Sequence, residues 1–157
     1  MDVSPLLDAV PGATADAGYG PVTVDVPAES WGAAVELART GLGCRWFDFL
    51  TAVDVEDGLA VVCHVARAEP FDHVLLRTRL PDDRPAVTSV ASSYAGAGWH
   101  ERETAEMFGV AFVSPTGEAL ELEPLLLPPG FEGHPLRKDF ALQARLDRPW
   151  PGAKDPA

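Results

Sequence analysis

The sequence predicts a single α+β domain. Its elements are a mixed, mostly antiparallel sheet of about four to five strands, two main helices and an extended C-terminal tail. Two observations carry this. The order of periodic segments is helix, strand meander, helix, which builds one layered domain and not an alternating parallel sheet. A length of 157 residues suits one domain and can bury a substantial core.

Residues 1–20, rich in Ala, Gly, Asp and Pro, read as a weakly ordered leader with one turn of helix near Pro5–Val10. Residues 21–112 read as the folded domain, and 113–157 as a connector and an extended tail. Pro21–Val26 alternates β-branched and polar residues and reads as a short strand. Ser30 or Glu29 opens a helix through about Thr40. Its apolar stripe is Trp31, Ala34, Val35 and Ala38, and Gly41 and Gly43 stop it.

Three strands follow, at Arg45–Val55, Leu59–Ala68 and Phe71–Leu80. Glu56-Asp57-Gly58 is a hairpin turn signal, and Glu69-Pro70 closes the second strand. Pro81–Pro85 is a connector, and Ala86–Val90 reads as one more short strand. Ser92 or Ser93 is a candidate cap for a helix from about Tyr94 or Gly98 to Met107, with Gly109 as its exit. Phe112–Pro129 reads as irregular. His134 precedes Pro135, which disfavours helix and predicts an extended run there. Beyond Phe140, a tail with three prolines reads as loosely held or shaped by a partner.

Composition excludes several function classes. The net charge of −12 argues against nucleic-acid binding, which requires a basic face. Residues 1–136 carry 7 Lys/Arg against 21 Asp/Glu, or −14, whereas residues 137–157 carry 5 against 3, or +2. A slightly basic tail thus follows an acidic body. Cys44 and Cys63 make no disulfide framework and read as small buried residues on neighbouring strands. No apolar run approaches a membrane span, and the N-terminus lacks signal-peptide features. The chain reads as cytoplasmic, reaching a membrane only through protein contacts.

Catalytic patterns come close and break. His100-Glu101 would begin a zinc-binding H-E-x-x-H, but Thr104 stands at the second ligand position. Gly96-Ala97-Gly98 meets Glu101 where a dinucleotide fingerprint needs Gly or Ala. Phosphate loops, C-x-x-C pairs and nucleophile elbows are missing, and two cysteines cannot hold an iron–sulfur cluster. His64 and His73 read as structural or surface residues. His100 and His134 suit hydrogen bonding at an interface better than metal binding.

Two dense blocks remain. Trp99–Val110 reads W-H-E-R-E-T-A-E-M-F-G-V, and Gly130–Phe140 reads G-F-E-G-H-P-L-R-K-D-F. Charges interleaved with aromatics imply partial burial, and buried charges must be paired or hydrogen-bonded. Arg102 and Glu106 are spaced i, i+4 and can pair. Glu101, Glu103 and Glu106 outnumber Arg102, so two carboxylates lack a local cation, and Arg137 or Lys138 suits that face. Trp99 and Met107 read as helix anchors, with Phe108 where the helix meets the sheet. In the second block, alternation puts Leu136, Lys138 and Phe140 opposite Arg137 and Asp139. Gly133 reads as relief for a tight bend. Physics alone leaves open whether the blocks zip to each other, form a partner interface or hold a ligand.

W-x-E-R-E-x-x-E-M-F-G-V followed by G-F-E-G-H-P-L-R-K-D-F resembles the signature of the C subunit of proton-translocating NADH-quinone oxidoreductase, respiratory complex I. The motifs cover about the last third of the chain, and their order makes them specific. The resemblance implies a non-catalytic peripheral-arm component with no cofactor, metal or catalytic residue of its own. FMN, iron–sulfur clusters and quinone would belong to other subunits. It implies contact with the quinone-site D subunit and the cluster-bearing B and I subunits, on the cytoplasmic side of a bacterial membrane. Trp99, Glu101, Arg102, Glu103, Glu106, Phe108, Gly109, Gly133, His134, Pro135, Leu136, Arg137, Lys138, Asp139 and Phe140 would form the partner interface. One segment departs from the family. Where it shows G-H-P-x-L-R-R after F-G-V-x-F, this chain has Ser114–Leu127 with neither that histidine nor those arginines. The electron donor of the parent complex therefore stays open, the alternative being a related membrane-bound hydrogenase or another donor–quinone oxidoreductase.

Overall fold

Three long strands frame the domain in the computed structural model, which describes residues 1–18 and 20–141. They are β3 (Trp46–Val55), β4 (Gly58–Arg67) and β5 (Asp72–Leu80), joined as an antiparallel meander. The β3–β4 turn falls at the expected Glu56-Asp57-Gly58. Gly58 has φ +128, and a Cβ there would lie 2.3 Å from the Leu80 carbonyl oxygen, so only glycine fits. The short strands β1 (Thr14–Asp16) and β2 (Val22–Asp25) extend the sheet, in the order β1-β2-β5-β4-β3. β2 runs parallel to β5 and the other pairings are antiparallel, as the fold class anticipates.

Period-two alternation gives each long strand a core side. Leu50, Cys63 and Leu76 align across β3, β4 and β5, as do Phe47, Val65 and Val74. Helix α2 (Trp31–Thr40) covers this side, entered through a 3-10 turn at Ala28–Ser30. Its buried residues are the predicted stripe, Trp31, Ala34, Val35 and Ala38, all at 0% exposure. Each fully buried Val or Leu side chain, such as Val35, Leu50 and Leu76, contributes roughly 1.5–3 kcal/mol by leaving water.

The first residues differ from the expected weakly ordered leader. Ser4–Ala9 forms α1, and β1 pairs with β2. Val3, Leu6 and Val10 recur at helical spacing and are buried in the main core, and the Met1 ammonium pairs with Asp72 at 3.0 Å. Those three apolar residues outweigh the loop-like composition around them.

The end of the domain also differs in detail. β6 (Ala86–Thr88) does not join the main sheet but pairs in parallel with β7 (Ala111–Val113). Between them runs α3 (Ala97–Phe108), which packs along β3. The helix starts after Gly96 with no side-chain cap. Ser93 instead donates to Glu36 Oε2 on α2 at 2.6 Å, which removes it from capping. Gly109 ends the helix in the left-handed conformation (φ +76), and its N–H donates to Ala105 O, as its position predicts. Cys44 lies in the turn before β3 and not on a strand, and it and Cys63 are buried free thiols. The proline-rich tail read beyond Phe140 lies outside the described residues from 142 onward.

Candidate functional site

Helix α3 is the support on which both blocks are built. Its buried positions are Ala97, Glu101, Thr104 and Phe108, at spacings of four, three and four, one helical face. This corrects the expected anchors. Trp99 is off that face and 61% exposed, and Met107 is only half-buried. A carboxylate occupies the slot where an apolar residue would be expected.

Glu101 is 1% exposed and has no cation partner among the described residues. Its Oε2 accepts from Ser89 Oγ at 2.7 Å and its Oε1 from the Val90 N–H at 2.7 Å. Burial pushes its carboxyl up from the ordinary value, against the hydrogen bonds from Ser89, Val90 and Ala91 that favour the charge. The effect is to pin the β6–α3 turn to the helix. His100 does the same for the strand behind. Its Nδ1 lies 3.1 Å from Leu50 O and 3.4 Å from Leu50 N, covering the edge of β3 that β4 leaves unpaired.

The outward face of α3 holds the connector. Arg102 does not pair with Glu106. Its guanidinium donates to the carbonyls of Glu123 and Pro124 at 2.8 and 2.7 Å, and stacks 5.1 Å over Trp99. Glu106 accepts from the N–H groups of Leu125, Leu126 and Leu127 at 2.7, 2.8 and 3.4 Å. Partial desolvation raises its carboxyl, but those three donors outweigh it and hold the group below the ordinary carboxylate range. Glu101 and Glu106 are thus satisfied by backbone N–H groups and one hydroxyl, and not by the expected cations Arg102, Arg137 or Lys138. Glu103 alone points to solvent.

The second block turns where an extended run was expected. The N–H of Arg137 donates to His134 O and that of Phe140 to Arg137 O, so the alternation of sides does not form. Gly133 has φ +91, and a Cβ there would lie 2.9 Å from the Phe140 ring, which stacks 6.0 Å from Phe131. His134 Nδ1 donates to Glu106 O at 2.8 Å, and the Leu136 N–H donates to Met107 O at 3.1 Å. His134 therefore sits on Gly109, where a Cβ would approach its Nε2 to 2.6 Å. Pro135 is half-buried, while Leu136 is 54% exposed.

Arg137 clamps carboxylates, but not those of the first block. It bonds Asp82 and lies 3.7 Å from Asp54 and 3.8 Å from Asp139. Lys138 contributes its backbone N–H to Asp54 at 2.9 Å. These partners come from the end of β3 and the β5–β6 connector, and nothing in the sequence singles them out. A cavity of about 380 Å³ lies between Asp82, Phe108, Gly109, His134, Arg137 and Phe140. No cluster of three or more His, Cys, Asp or Glu suited to a metal occurs among the described residues.

No local pattern in the sequence pairs His64 with His73. They face each other across β4 and β5, His64 Nε2 lying 2.9 Å from His73 Nδ1, and His64 Nδ1 donates to Asp48 Oδ2 at 2.8 Å. The register of β3 shifts between Phe47 and Phe49, and this bulge turns Asp48 toward His64.

The structural neighbourhood agrees with the motifs. The chain resembles a component of the membrane-bound sulfane sulfur reductase, an archaeal respiratory membrane complex. That match has a TM-score of 0.71 and 27% identity, over 90% of this chain and 85% of that one. The C subunit of F(420)H(2) dehydrogenase of Methanosarcina mazei is 39% identical over 116 residues, 68% of this chain and 69% of its own length. The C subunit of NADH-quinone oxidoreductase of Sinorhizobium medicae is 34% identical over 129 residues, 79% of this chain; the chain spans 62% of that relative's length. The family model described as "Respiratory-chain NADH dehydrogenase, 30 Kd subunit" matches residues 24–146. With that span and those relatives, the chain belongs to the family of NADH-quinone oxidoreductase C subunits.

Proposed function

We propose that this chain is a non-catalytic component of a proton-translocating NADH-quinone oxidoreductase. It would hold the quinone-site D subunit and the cluster-bearing B and I subunits in fixed register at the cytoplasmic face of the membrane. One observation carries the reading. The charged groups of the two blocks are largely consumed inside the chain, and large apolar side chains are left outside. Arg102, Glu106, His134 and Arg137 tie the connector and the second block to α3 and to the strand ends. Trp99, Leu120, Leu126, Phe131 and Leu136 remain 38–61% exposed on this braced segment. Rigid backbone with exposed apolar groups is the composition of a docking surface, because the ordering cost is met before the partner arrives.

The role needs no reacting group, since electron transfer between centres depends on their separation and a scaffold fixes it. No helix among the described residues is long and apolar enough to cross a membrane. In this reading contact with the membrane runs through other subunits.

A second reading keeps the role and changes the donor. The F(420)H(2) dehydrogenase C subunit is among the relatives, and the Ser114–Leu127 segment departs from the family pattern, so a complex fed by a donor other than NADH is the alternative. Affinity purification of the tagged chain from detergent-solubilised membranes tests both. Recovery with the D, B and I subunits supports the role, and NADH-dependent quinone reduction by the product selects the first donor. A soluble monomer without those subunits overturns the role.

A further inference from the structure

Of the four histidines, His100 and His134 bond backbone atoms, at Leu50 and Glu106. His64 and His73 bond each other. In the antiparallel pairing of β4 with β5, His64 lies opposite Leu75 and His73 opposite Ala66. The two are therefore diagonal neighbours on the face of the sheet that α2 does not cover. Their rings fill the space between, with centroids 5.1 Å apart and planes inclined at 72°.

Asp48 decides what this pair can do. Its carboxylate holds the His64 proton on Nδ1, at 2.8 Å, which leaves a lone pair on Nε2. That lone pair faces His73 Nδ1, 2.9 Å away. In the neutral pair, a single proton on His73 Nδ1 occupies the space between the two nitrogens. When His73 takes its other tautomer, with the proton on Nε2, two lone pairs converge and repel unless a cation sits between them. A metal ion held by two imidazoles at about 2.0–2.1 Å, with tetrahedral angles, sets their nitrogens roughly 3.4 Å apart. The rings here need to separate by only about 0.5 Å to reach that spacing.

The surroundings have the features of a metal site. A carboxylate bonded to the far nitrogen of a ligating imidazole fixes its tautomer and raises its basicity, and Asp48 stands in that position. The β-bulge between Phe47 and Phe49 puts it there. Phe49 and Phe71 flank the pair, each with its ring 5.5 Å from one imidazole. The His64 side chain is 16% exposed, so an ion reaches it from solvent.

We infer that His64 Nε2 and His73 Nδ1 bind a divalent transition-metal ion, with Asp48 orienting His64 from behind and water completing the coordination. Cys63 is buried in the core on the other side of β4, so the donor set is imidazole without thiolate. Such a set suits zinc(II), nickel(II) and copper(II). On binding, the proton on His73 Nδ1 is lost and one is taken up on Nε2, so no net proton is released.

The test titrates the full chain, free of any affinity tag, with Zn²⁺ in a non-chelating buffer near neutral pH. Calorimetry and imidazole-nitrogen NMR supply the readouts. One ion per chain is expected, with the His64 Nε2 and His73 Nδ1 signals shifted and the His64 Nδ1 proton retained. His73→Ala should weaken binding at least tenfold, and Asp48→Asn about tenfold through loss of the outer carboxylate. The NMR readout belongs to the parent protein and decides the question even where a variant fails to fold. No binding at about 1 mM Zn²⁺ overturns the site. Shifts confined to His100 and His134, or undiminished affinity in His73→Ala, overturn it equally. Binding requires no other subunit, so its failure leaves the proposed assembly role standing.

Discussion

Glu101 is the residue on which the architecture of α3 turns. Replacing it with Ala would leave the Val90 N–H and the Ser89 hydroxyl buried without an acceptor, at a cost of about 2–3 kcal/mol. Glu101→Gln keeps an acceptor for Val90 and should cost less than half as much. Urea unfolding of both variants checks the ranking. The two glutamates also respond to pH with opposite signs. Burial raises the Glu101 carboxyl, so its contribution is greatest in acid and declines as pH climbs from about 4.5 through the raised value. The Glu106 carboxyl is lowered, so its contribution is present above about 4.5 and is lost as pH falls through the lowered value. Unfolding of the parent and Glu106→Gln between pH 6 and pH 3 should differ most at the upper end and converge at the lower. A constant gap would exclude the ionised carboxylate as the cause.

Among the elements, the hairpin and α2 were legible in the sequence because one period dominates each. The stripe of Trp31, Ala34, Val35 and Ala38 and the Glu56-Asp57-Gly58 turn had no competing signal. α3 was legible as a helix but not in its facing. Trp99 draws the apolar stripe toward itself, whereas the packed face runs through Ala97, Glu101, Thr104 and Phe108. Its partners were illegible for a different reason. Glu106 is satisfied by the backbone of Leu125–Leu127 and Arg137 by Asp82 and Asp54, and such long-range choices leave no local trace in residue type. Glu101 defeats hydropathy in the same way, since only the tertiary position of Ser89 and Val90 makes its burial tolerable. The contact of Gly109 with His134 gives a test at this scale. Gly109→Ala forces a left-handed conformation on a residue with a Cβ, at about 1–2 kcal/mol, and pushes His134 off Glu106 O. Proteolysis within residues 125–136 should accelerate while the melting temperature falls by only a few degrees. Unchanged cleavage would show that the second block is held by other contacts.

For the whole molecule, the charged motif braces this chain's own backbone, and the surface we propose for partners is the apolar one that bracing exposes. Leu126→Glu with Leu136→Glu should shift the melting temperature of the isolated chain by no more than a few degrees, because both side chains are more than half exposed. The same pair should sharply reduce recovery of the subunits with which the chain co-purifies. Arg137→Ala differs, since it frees Asp82 and Asp54 and should lower both stability and recovery. The most direct measurement is hydroxyl-radical footprinting of Trp99 and Phe131 in the free chain and in the membrane-extracted complex. Strong labelling of both is expected in the free chain, with at least fivefold protection in the complex. Equal labelling in the two states would contradict the assignment of this segment to an interface between subunits.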